Sequence, residues 1–261
     1  MVHDHKHNFL QIFNETARYH HRYQVFRDFV MMAGISVHNA IIKDEILEQE
    51  YLDIVKRYER PDVDRFPQLL AELVMGLEVE PCDFLGDLFM QLELGSGALS
   101  QHFTPFSISK LMSMVTIGDS LDKLLLIKPF ITIAEPAAGG GSTVIAFAQT
   151  MREKGFNPQK HLWVNCVDID PVAAMMCYLQ LSLLHIPGEV VTGNSLTLQF
   201  SRVMRTPAHY LGNWDYKLSK QYQEPIHNHH EPVPMPVKQV NLKPLGEQIS
   251  LFSLESFACE T

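Results

Sequence analysis

The chain has little positive charge for its size. Its 261 residues contain 21 Lys and Arg against 30 Asp and Glu, a formal net charge of −9. A protein that coats nucleic acid by electrostatics alone needs clustered Lys and Arg for the phosphates. The charge balance argues against that class and leaves open a local DNA-facing patch. The best candidate patch is Arg202, Arg205, Lys217 and Lys220, and a solvated surface is the alternative interpretation.

Long apolar runs and paired cysteines are also missing. No apolar run is long enough to span a bilayer, and residues 1–7 lack the apolar segment of a signal peptide. We therefore expect a cytoplasmic protein without a membrane segment. The cysteines are scattered, with no Cys-x-x-Cys pair, which predicts reduced thiols and no metal site. They are Cys82, Cys166, Cys177 and Cys259.

Three regions of different composition follow one another. Residues 1–94 carry apolar side chains at helical spacing and predict a helical domain. Residues 95–218 alternate strands with helices, which predicts an α/β core with a parallel, doubly wound sheet. Residues 219–261 are rich in Pro, His and Gln and predict a flexible tail. The predicted strands are 130–134, 162–167 and 189–192, and the helices after the first two are 143–154 and 171–184.

The most informative stretch is Ile131–Ser142. There an apolar run breaks at a Glu-Pro pair and passes three glycines before a helix, which together form a ligand cradle. Glu135 lies at the mouth of this turn. A carboxylate there disfavours a pyrophosphate and suits a ligand with an ammonium group, such as S-adenosyl-L-methionine (AdoMet). Glycines that only allow a close strand–helix connection are the alternative.

The next two strands also end in polar side chains. Asp168 ends the second strand, where nucleotide-binding folds hold ribose hydroxyls. Asp170 can instead start the following helix together with Pro171. Asn194 ends the third strand, and an amide there can hydrogen-bond an adenine edge. Three successive strand ends with a glycine turn, an acid and an amide are more specific than any one of them alone.

With Phe103-Thr104-Pro105 upstream, these motifs resemble the gamma-type N6-adenine DNA methyltransferases, the group that contains the modification subunits of type I restriction systems. The resemblance covers residues 83–196 in the family's order. Glu135-Pro136-Ala137-Ala138-Gly139-Gly140-Gly141 resembles its Asp-Pro-x-x-Gly-x-Gly turn. Asp168-Ile169-Asp170-Pro171 matches its ribose motif, and Asn194 stands where Asp is more usual.

The resemblance implies a Rossmann-like AdoMet-dependent methyltransferase core with a shortened parallel sheet behind an α-helical domain. It implies methyl transfer to adenine N6 in DNA, as in restriction-modification. The Phe-Thr-Pro turn would help to hold the methionine part, Asp168 the ribose, and Ile169 would pack on the adenine. The implied cofactor residues are Phe103, Thr104, Pro105, Glu135, Pro136, Ala137, Gly139, Gly141, Asp168, Ile169 and Asn194.

The family's catalytic Asn-Pro-Pro-Tyr/Phe motif has only a degenerate counterpart. In that motif an amide and a proline carbonyl accept the N6 hydrogens while an aromatic ring stacks on the flipped base. This chain has no Pro-Pro, and the nearest remnant is Thr206-Pro207-Ala208-His209-Tyr210. Thr206 would accept one hydrogen bond, and Tyr210 is displaced by one position. Few residues follow, so a partner methylase or specificity subunit would supply the remaining strands and the target-recognition region.

The tail contains Gln248-Ile249-Ser250-Leu251-Phe252, which resembles the pentapeptide that binds the bacterial sliding clamp. Leu251 and Phe252 would anchor in an apolar groove, with Gln248 hydrogen-bonding beside it. A segment that docks back on the domain is the alternative. Two functions stay open: a DNA adenine methyltransferase, and a catalytically silent AdoMet-binding or DNA- and clamp-binding adaptor. A small-molecule or protein methyltransferase is disfavoured by the Phe-Thr-Pro motif.

Overall fold

The computed structural model describes residues 4–92, 94, 103–118 and 120–223. The described residues up to Gln221 form one compact unit. No helix in this part of the chain is both long and apolar enough to cross a membrane. The tail segment Gln248–Phe252 lies outside the described residues, while the last described helix extends to Gln223.

The first described elements are helices that pack around an aromatic core. Phe9 lies at its centre, with ring centroids 5.3 Å from Phe29 and 5.9 Å from Phe84, both edge to face. All three side chains are at most 1% exposed, so this core is fully dry. The helices are α1 (His5–Glu15), α2 (Arg22–Asn39), α3 (Glu45–Val55), α4 (Arg60–Val63), α5 (Phe66–Val79) and α6 (Phe84–Gln91).

A buried carboxylate connects the start of this region to its middle. Asp62 accepts hydrogen bonds from the backbone N–H of Ala17 (2.8 Å) and the hydroxyl of Tyr19 (2.9 Å). Arg65 adds an ion pair at 2.7 Å. Burial alone would raise the pKa of Asp62, but these partners outweigh it and lower the pKa below its usual value.

The rest of the described chain alternates helices and strands. The first three strands are parallel, as predicted, and all four strands lie side by side in one sheet in their order along the chain. The elements are α7 (Phe106–Ile117), α8 (Ser120–Ile127), β1 (Ile131–Glu135), α9 (Ser142–Glu153), α10 (Pro158–His161), β2 (Leu162–Asp168), α11 (Pro171–Leu183), β3 (Gly188–Asn194), β4 (Gln199–Arg205), α12 (Pro207–Leu211) and α13 (Trp214–Gln223).

The expectation of an entirely parallel sheet is wrong for its fourth strand. β4 runs antiparallel to β3, with Asn194 opposite Gln199 and Glu189 opposite Arg205. Only four residues connect the two strands, and a parallel pair needs a crossover of about a dozen residues. A hairpin is therefore the only pairing that this connection permits.

The helices that connect the parallel strands cover one face of the sheet. Crossovers between parallel strands are right-handed in almost all proteins, which predicts that α9 and α11 lie on the same side. In agreement, Arg152 of α9 donates to the carbonyl of Leu184 at the end of α11 (3.1 Å). The other side faces α12 and α13, where the indole N–H of Trp163 donates to His209 (3.0 Å) and Trp214 packs on Phe130 at 4.9 Å. The carboxyl ends of β1, β2 and β3 thus share one edge, at which the predicted site residues converge.

The helical region packs on the outer side of α11. Gly34 of α2 lies so close to Met175 of α11 that a Cβ on the glycine would be 2.3 Å from the Met175 sulfur. Contact on both sides explains why α11 is apolar around its whole circumference and buried from Val172 to Ser182. The two regions therefore share one continuous core.

Candidate functional site

The turn between β1 and α9 is hydrogen-bonded to the end of β2. The backbone N–H of Ala138 donates to the carbonyl of Val167 (2.9 Å). The N–H of the following residue, Gly139, donates to Oδ2 of Asp168 (2.7 Å). The glycine turn and the predicted ribose-binding acid are therefore in direct contact, as the sequence motifs required.

Each of the three glycines has a structural reason to lack a side chain. Gly139 and Gly141 have φ values of +53° and +95°, which favour glycine. A Cβ on Gly139 would be 2.8 Å from the Phe103 ring, and a Cβ on Gly140 would be 2.7 Å from Oδ1 of Asp83. The glycines therefore serve close packing of the turn on its support as well as backbone freedom.

The Phe-Thr-Pro motif lies against this turn. Phe103 packs on Gly139 and meets Phe89 of the helical region edge to face at 5.2 Å. The hydroxyl of Ser142, the first residue of α9, donates to the carbonyl of Thr104 (3.3 Å). Phe103 and Ser142 are 39 positions apart in the chain, yet both lie against the glycine turn.

Two residues that support the glycine turn were not predicted from the sequence. Gln180 of α11 donates from Nε2 to Oδ1 of Asp83 (2.9 Å) and to the carbonyl of Gly140 (2.7 Å). Its Oε1 accepts from the backbone N–H of Leu85 (3.0 Å). Both side chains are at most 2% exposed. This network connects the glycine turn to α6, and its signal in the sequence was a single glutamine in a mostly apolar helix.

Burial dominates the electrostatics of Asp83. It raises the pKa of this carboxyl above the usual value, while hydrogen bonds from Gln180 and the N–H of Gly86 act in the opposite direction. Asp83 also caps the N-terminus of α6 through the 2.8 Å bond from Gly86. It is therefore a structural acid behind the turn and does not face the mouth.

Asp168 already has two protein partners. Besides Gly139, the N–H of Asp170 donates to it, at Oδ1 (2.9 Å). A carboxylate has about four acceptor positions, so hydroxyl groups can still bind. Asp170 caps α11 by accepting from Val172 (2.9 Å), which agrees with its alternative interpretation. Between them, Ile169 is 67% exposed and offers an apolar surface beside the acid.

Asn194 has a local role that the sequence did not reveal. Its Oδ1 accepts from the backbone N–H groups of Leu196 (2.9 Å) and Thr197 (3.1 Å), which shapes the hairpin between β3 and β4. Its amide NH₂ is the group that remains for a ligand. That group donates only, so the full donor–acceptor recognition of an adenine edge would need another residue.

The mouth of the turn combines acids with a helix N-terminus. Glu135 accepts from the N–H of Ala137 (3.3 Å), and Pro136 and Ala137 are exposed. No side chain caps the first turn of α9, where Gly141 is the capping residue. Carboxylates favour a cation and the helix N–H groups favour an anion. Adjacent groups of both kinds suit a zwitterionic amino acid.

The predicted catalytic residues lie at the opposite end of the sheet. The N–H of Thr206 donates to the carbonyl of Gly188, and its hydroxyl accepts from the Gly188 N–H (3.1 Å) and donates to Ile186 (2.9 Å). Gly188 begins β3 and Asn194 ends it, about 20 Å apart at 3.3 Å per residue. Thr206, Pro207 and Tyr210 are therefore too far from the turn, because antiparallel β4 returns the chain to the other end.

The candidate basic patch is engaged within the protein. Arg202 pairs with Glu50 (2.7 Å), and Arg205 pairs with Asp215 (3.0 Å). Lys217 lies 4.2 Å from the Trp214 ring. These contacts favour a solvated surface over a free phosphate-binding surface. Within the described ranges, no three His, Cys, Asp or Glu side chains are grouped closely enough to hold a metal ion.

Surface shape gives no independent indication of the site. A groove of about 560 Å³ is lined by α3 residues, among them Ile46 and Glu50, and one of about 180 Å³ lies between α2, α3 and α5. Neither groove includes a residue of the glycine turn. The converging strand ends, and not the concavity of the surface, single out the turn.

Comparisons with known proteins add one distant structural likeness. The sequence matches no protein-family profile and no curated protein. A crystal structure from Listeria monocytogenes, provisionally described as a class I S-adenosylmethionine-dependent methyltransferase, aligns at 15% identity and a TM-score of 0.37. The alignment covers 71% of this chain and 52% of that one, so the chain spans about half the neighbour's length.

Proposed function

We propose that this chain binds AdoMet at the glycine turn and belongs to an enzyme that transfers its methyl group to adenine N6 in DNA. The observation that carries the proposal is the convergence of three separate motifs at one sheet edge. Phe103 packs on Gly139, and the N–H of Gly139 donates to Asp168. A glycine turn needed only for a tight connection would not require either partner.

The donor set fits AdoMet better than a dinucleotide. Glu135 at the mouth would hold the ammonium group, and the uncapped first turn of α9 would hold the carboxylate. Asp168 has acceptor positions left for ribose hydroxyls, and the exposed Ile169 would pack on the adenine ring. When bound, AdoMet supplies an electrophilic methyl group on a sulfonium.

The target class comes from the order of the motifs, and catalysis would require a partner subunit. Among the described residues, β1 has β2 as a neighbour on one side only. A strand added in parallel along the free edge of β1 would end beside Glu135, next to the cofactor. A partner methylase or specificity subunit that adds such a strand would supply the groups that accept the N6 hydrogens, together with DNA recognition.

Calorimetric titration of the full chain with AdoMet tests the cofactor assignment. We expect saturable binding that weakens at least tenfold in Asp168→Ala, with Asp168→Asn intermediate because its amide oxygen still accepts. Asp215→Ala, at the opposite end of the sheet, is the matched control and should bind like wild type. Absence of AdoMet binding by the wild-type chain would overturn the proposal.

Radiolabelled methyl transfer to adenine-rich DNA tests the need for a partner. We expect no transfer by the chain alone, since the Thr206 remnant lies at the far end of the sheet. Transfer by the isolated chain would show that the catalytic groups are present and would refute the partner requirement.

A silent adaptor is the second candidate, favoured by the absence of a catalytic motif at the ligand end of the described sheet. It would bind AdoMet and reach the sliding clamp through Gln248–Phe252. A pull-down with purified clamp should succeed for wild type and fail when Leu251 and Phe252 are both changed to Ala. Equal capture of both proteins would exclude this segment as the clamp-binding motif.

A further inference from the structure

Two polar side chains outside the predicted cofactor residues are buried behind the glycine turn. Gln180 of α11 is inaccessible to solvent, and Asp83, which caps α6, is 2% exposed. Burying an amide is costly unless its donors and its acceptor all have partners. The Gln180 amide finds those partners in the glycine turn on one side and in the helical region on the other. It therefore ties the turn to a region distant in the chain.

The direction of the Gln180 amide is set by the chemistry of its three partners. The backbone N–H of Leu85 can only donate, so it must meet Oε1 (3.0 Å). The carbonyl of Gly140 can only accept, so it must meet Nε2 (2.7 Å). The second hydrogen on Nε2 is donated to Asp83 (2.9 Å). An apolar side chain of the same size could make none of these bonds.

The bond from Gln180 holds a peptide group that would otherwise rotate easily. Gly140 and Gly141 have no Cβ, so the peptide between them can change direction at little steric cost. Its N–H donates to the carbonyl of Ala138 (2.8 Å), and its carbonyl accepts from Gln180. Both ends of this peptide are thus fixed, and α9 begins at the next residue, Ser142. The direction in which α9 begins therefore depends on Gln180.

We propose that Gln180 is a positioning residue for the ligand site, which aims the first N–H groups of α9 at the carboxylate of AdoMet. An α-helix leaves its first N–H groups unpaired, and no described side chain caps those of α9. Because Gln180 is inaccessible, it does not touch the ligand and acts through the Gly140 carbonyl. This role rests on the proposed binding of AdoMet. It concerns the amino-acid end of the ligand, whereas Asp168 holds the nucleoside end.

Calorimetric titration of the full chain with AdoMet and with decarboxylated AdoMet, which differs only by the missing carboxylate, tests this role. Wild type should bind the decarboxylated ligand about tenfold more weakly, as expected for hydrogen bonds to a charged group. Gln180→Met keeps the size of the side chain and removes its donors. We expect this variant to lose about tenfold in affinity for AdoMet and less than about twofold for the decarboxylated ligand, because the two changes remove the same interaction.

Met175→Ala is the matched control in the same helix. Met175 is 3% exposed and packs on Gly34 of α2 instead of on the turn. This variant should lower the temperature of thermal unfolding and leave both affinities unchanged. Equal loss of both ligands in Gln180→Met would overturn the positioning role, and so would an unchanged affinity for AdoMet. A wild-type chain that binds neither ligand would overturn the proposed function as well.

Amide hydrogen exchange of the wild-type chain adds a test that needs no folded variant. AdoMet should slow the exchange of the Ser142 and Thr143 amides more than decarboxylated AdoMet does, because only AdoMet has a carboxylate for them to bind. Equal protection of these amides by both ligands would contradict the proposal, since the start of α9 would then hold no carboxylate.

Discussion

The helical region, residues 5–91, and the sheet region, residues 103–223, differ in how they treat apolar side chains. The first buries its large ones in a dry core, where Phe9 and Phe13 are inaccessible, and exposes isolated ones such as Ile46. The second leaves Val115 75% and Leu126 84% exposed. Its sheet has β1 as an edge strand, with one strand neighbour among the described residues.

We propose that this difference separates a self-contained region from a region that binds partners. The helical region satisfies its buried acids internally, as Asp62 shows. Among the described residues, the sheet region has an open strand edge, the exposed glycine turn beside Glu135 and an apolar face on α7. A strand edge and an apolar face of this kind promote association. On this proposal the helical region provides stability, and the sheet region provides the contacts with partners.

The largest expected effect is loss of the aromatic core. Phe9→Ala should lower the free energy of unfolding by about 3–5 kcal/mol, because it leaves a cavity among rings that cannot collapse. Leu196→Ala, on the hairpin of the sheet region, should change it by less than about 0.5 kcal/mol. Urea unfolding measures both. Similar costs at the two positions would contradict the contrast between the regions.

The next effect tests the support of the glycine turn. Gly140→Ala places a methyl group against Asp83, so we expect a cost of about 1–3 kcal/mol from overpacking and at least tenfold weaker AdoMet binding. Gly155→Ala is the control. Its φ of +86° makes alanine strained, at a similar cost in stability, but a Cβ there would meet nothing within 4 Å.

Calorimetry with AdoMet distinguishes the two glycine variants. We expect Gly155→Ala to bind like wild type despite its lower stability, because Gly155 lies at the far end of α9. If the two variants bind equally well, the contact between the turn and the Asp83–Gln180 network does not shape the ligand site.

The smallest effect is a difference in pH dependence between the regions. The folded-state pKa of Asp62 is lowered, so its stabilisation exists above the unfolded pKa of about 3.9 and is lost as pH falls below it. The folded-state pKa of Asp83 is raised, with Lys6 and Asp87 as charged neighbours. The contribution of Asp83 to stability is present below about pH 3.9 and is lost as the pH rises through the higher pKa of the folded state.

Urea unfolding between about pH 3 and pH 7 should show these opposite signs. In wild type the free energy of unfolding should fall toward acid pH as Asp62 is protonated, and Asp62→Asn should remove this fall. We expect the fall to be of the order of 1 kcal/mol, because the bonds lost are hydrogen bonds to a charged group. Asp83→Asn should instead remove the fall in the free energy of unfolding that wild type shows as the pH rises above about 4. Parallel pH profiles for the two variants would contradict the assignment of opposite environments.

Local patterns in the sequence were sufficient for several features of the site. The β1–turn–α9 unit, the strand that ends at Asp168 and the cap at Asp170 were predicted, because each depends on neighbouring residues. Asn194 shows the limit. Its position at the end of β3 was predicted, but its amide oxygen shapes a hairpin, because the four-residue connection folds the chain back there.

The sequence by itself determined the order of the elements, the three parallel strands and the glycine turn, since apolar periodicity and glycine conformation act over a few residues. Only the tertiary structure decided which residues meet. It placed Thr206 at the far end of the sheet, brought Asp83 and Gln180 beneath Gly140, and turned the apolar side of α7 outward. These outcomes depend on contacts between residues distant in the chain, which no local pattern encodes.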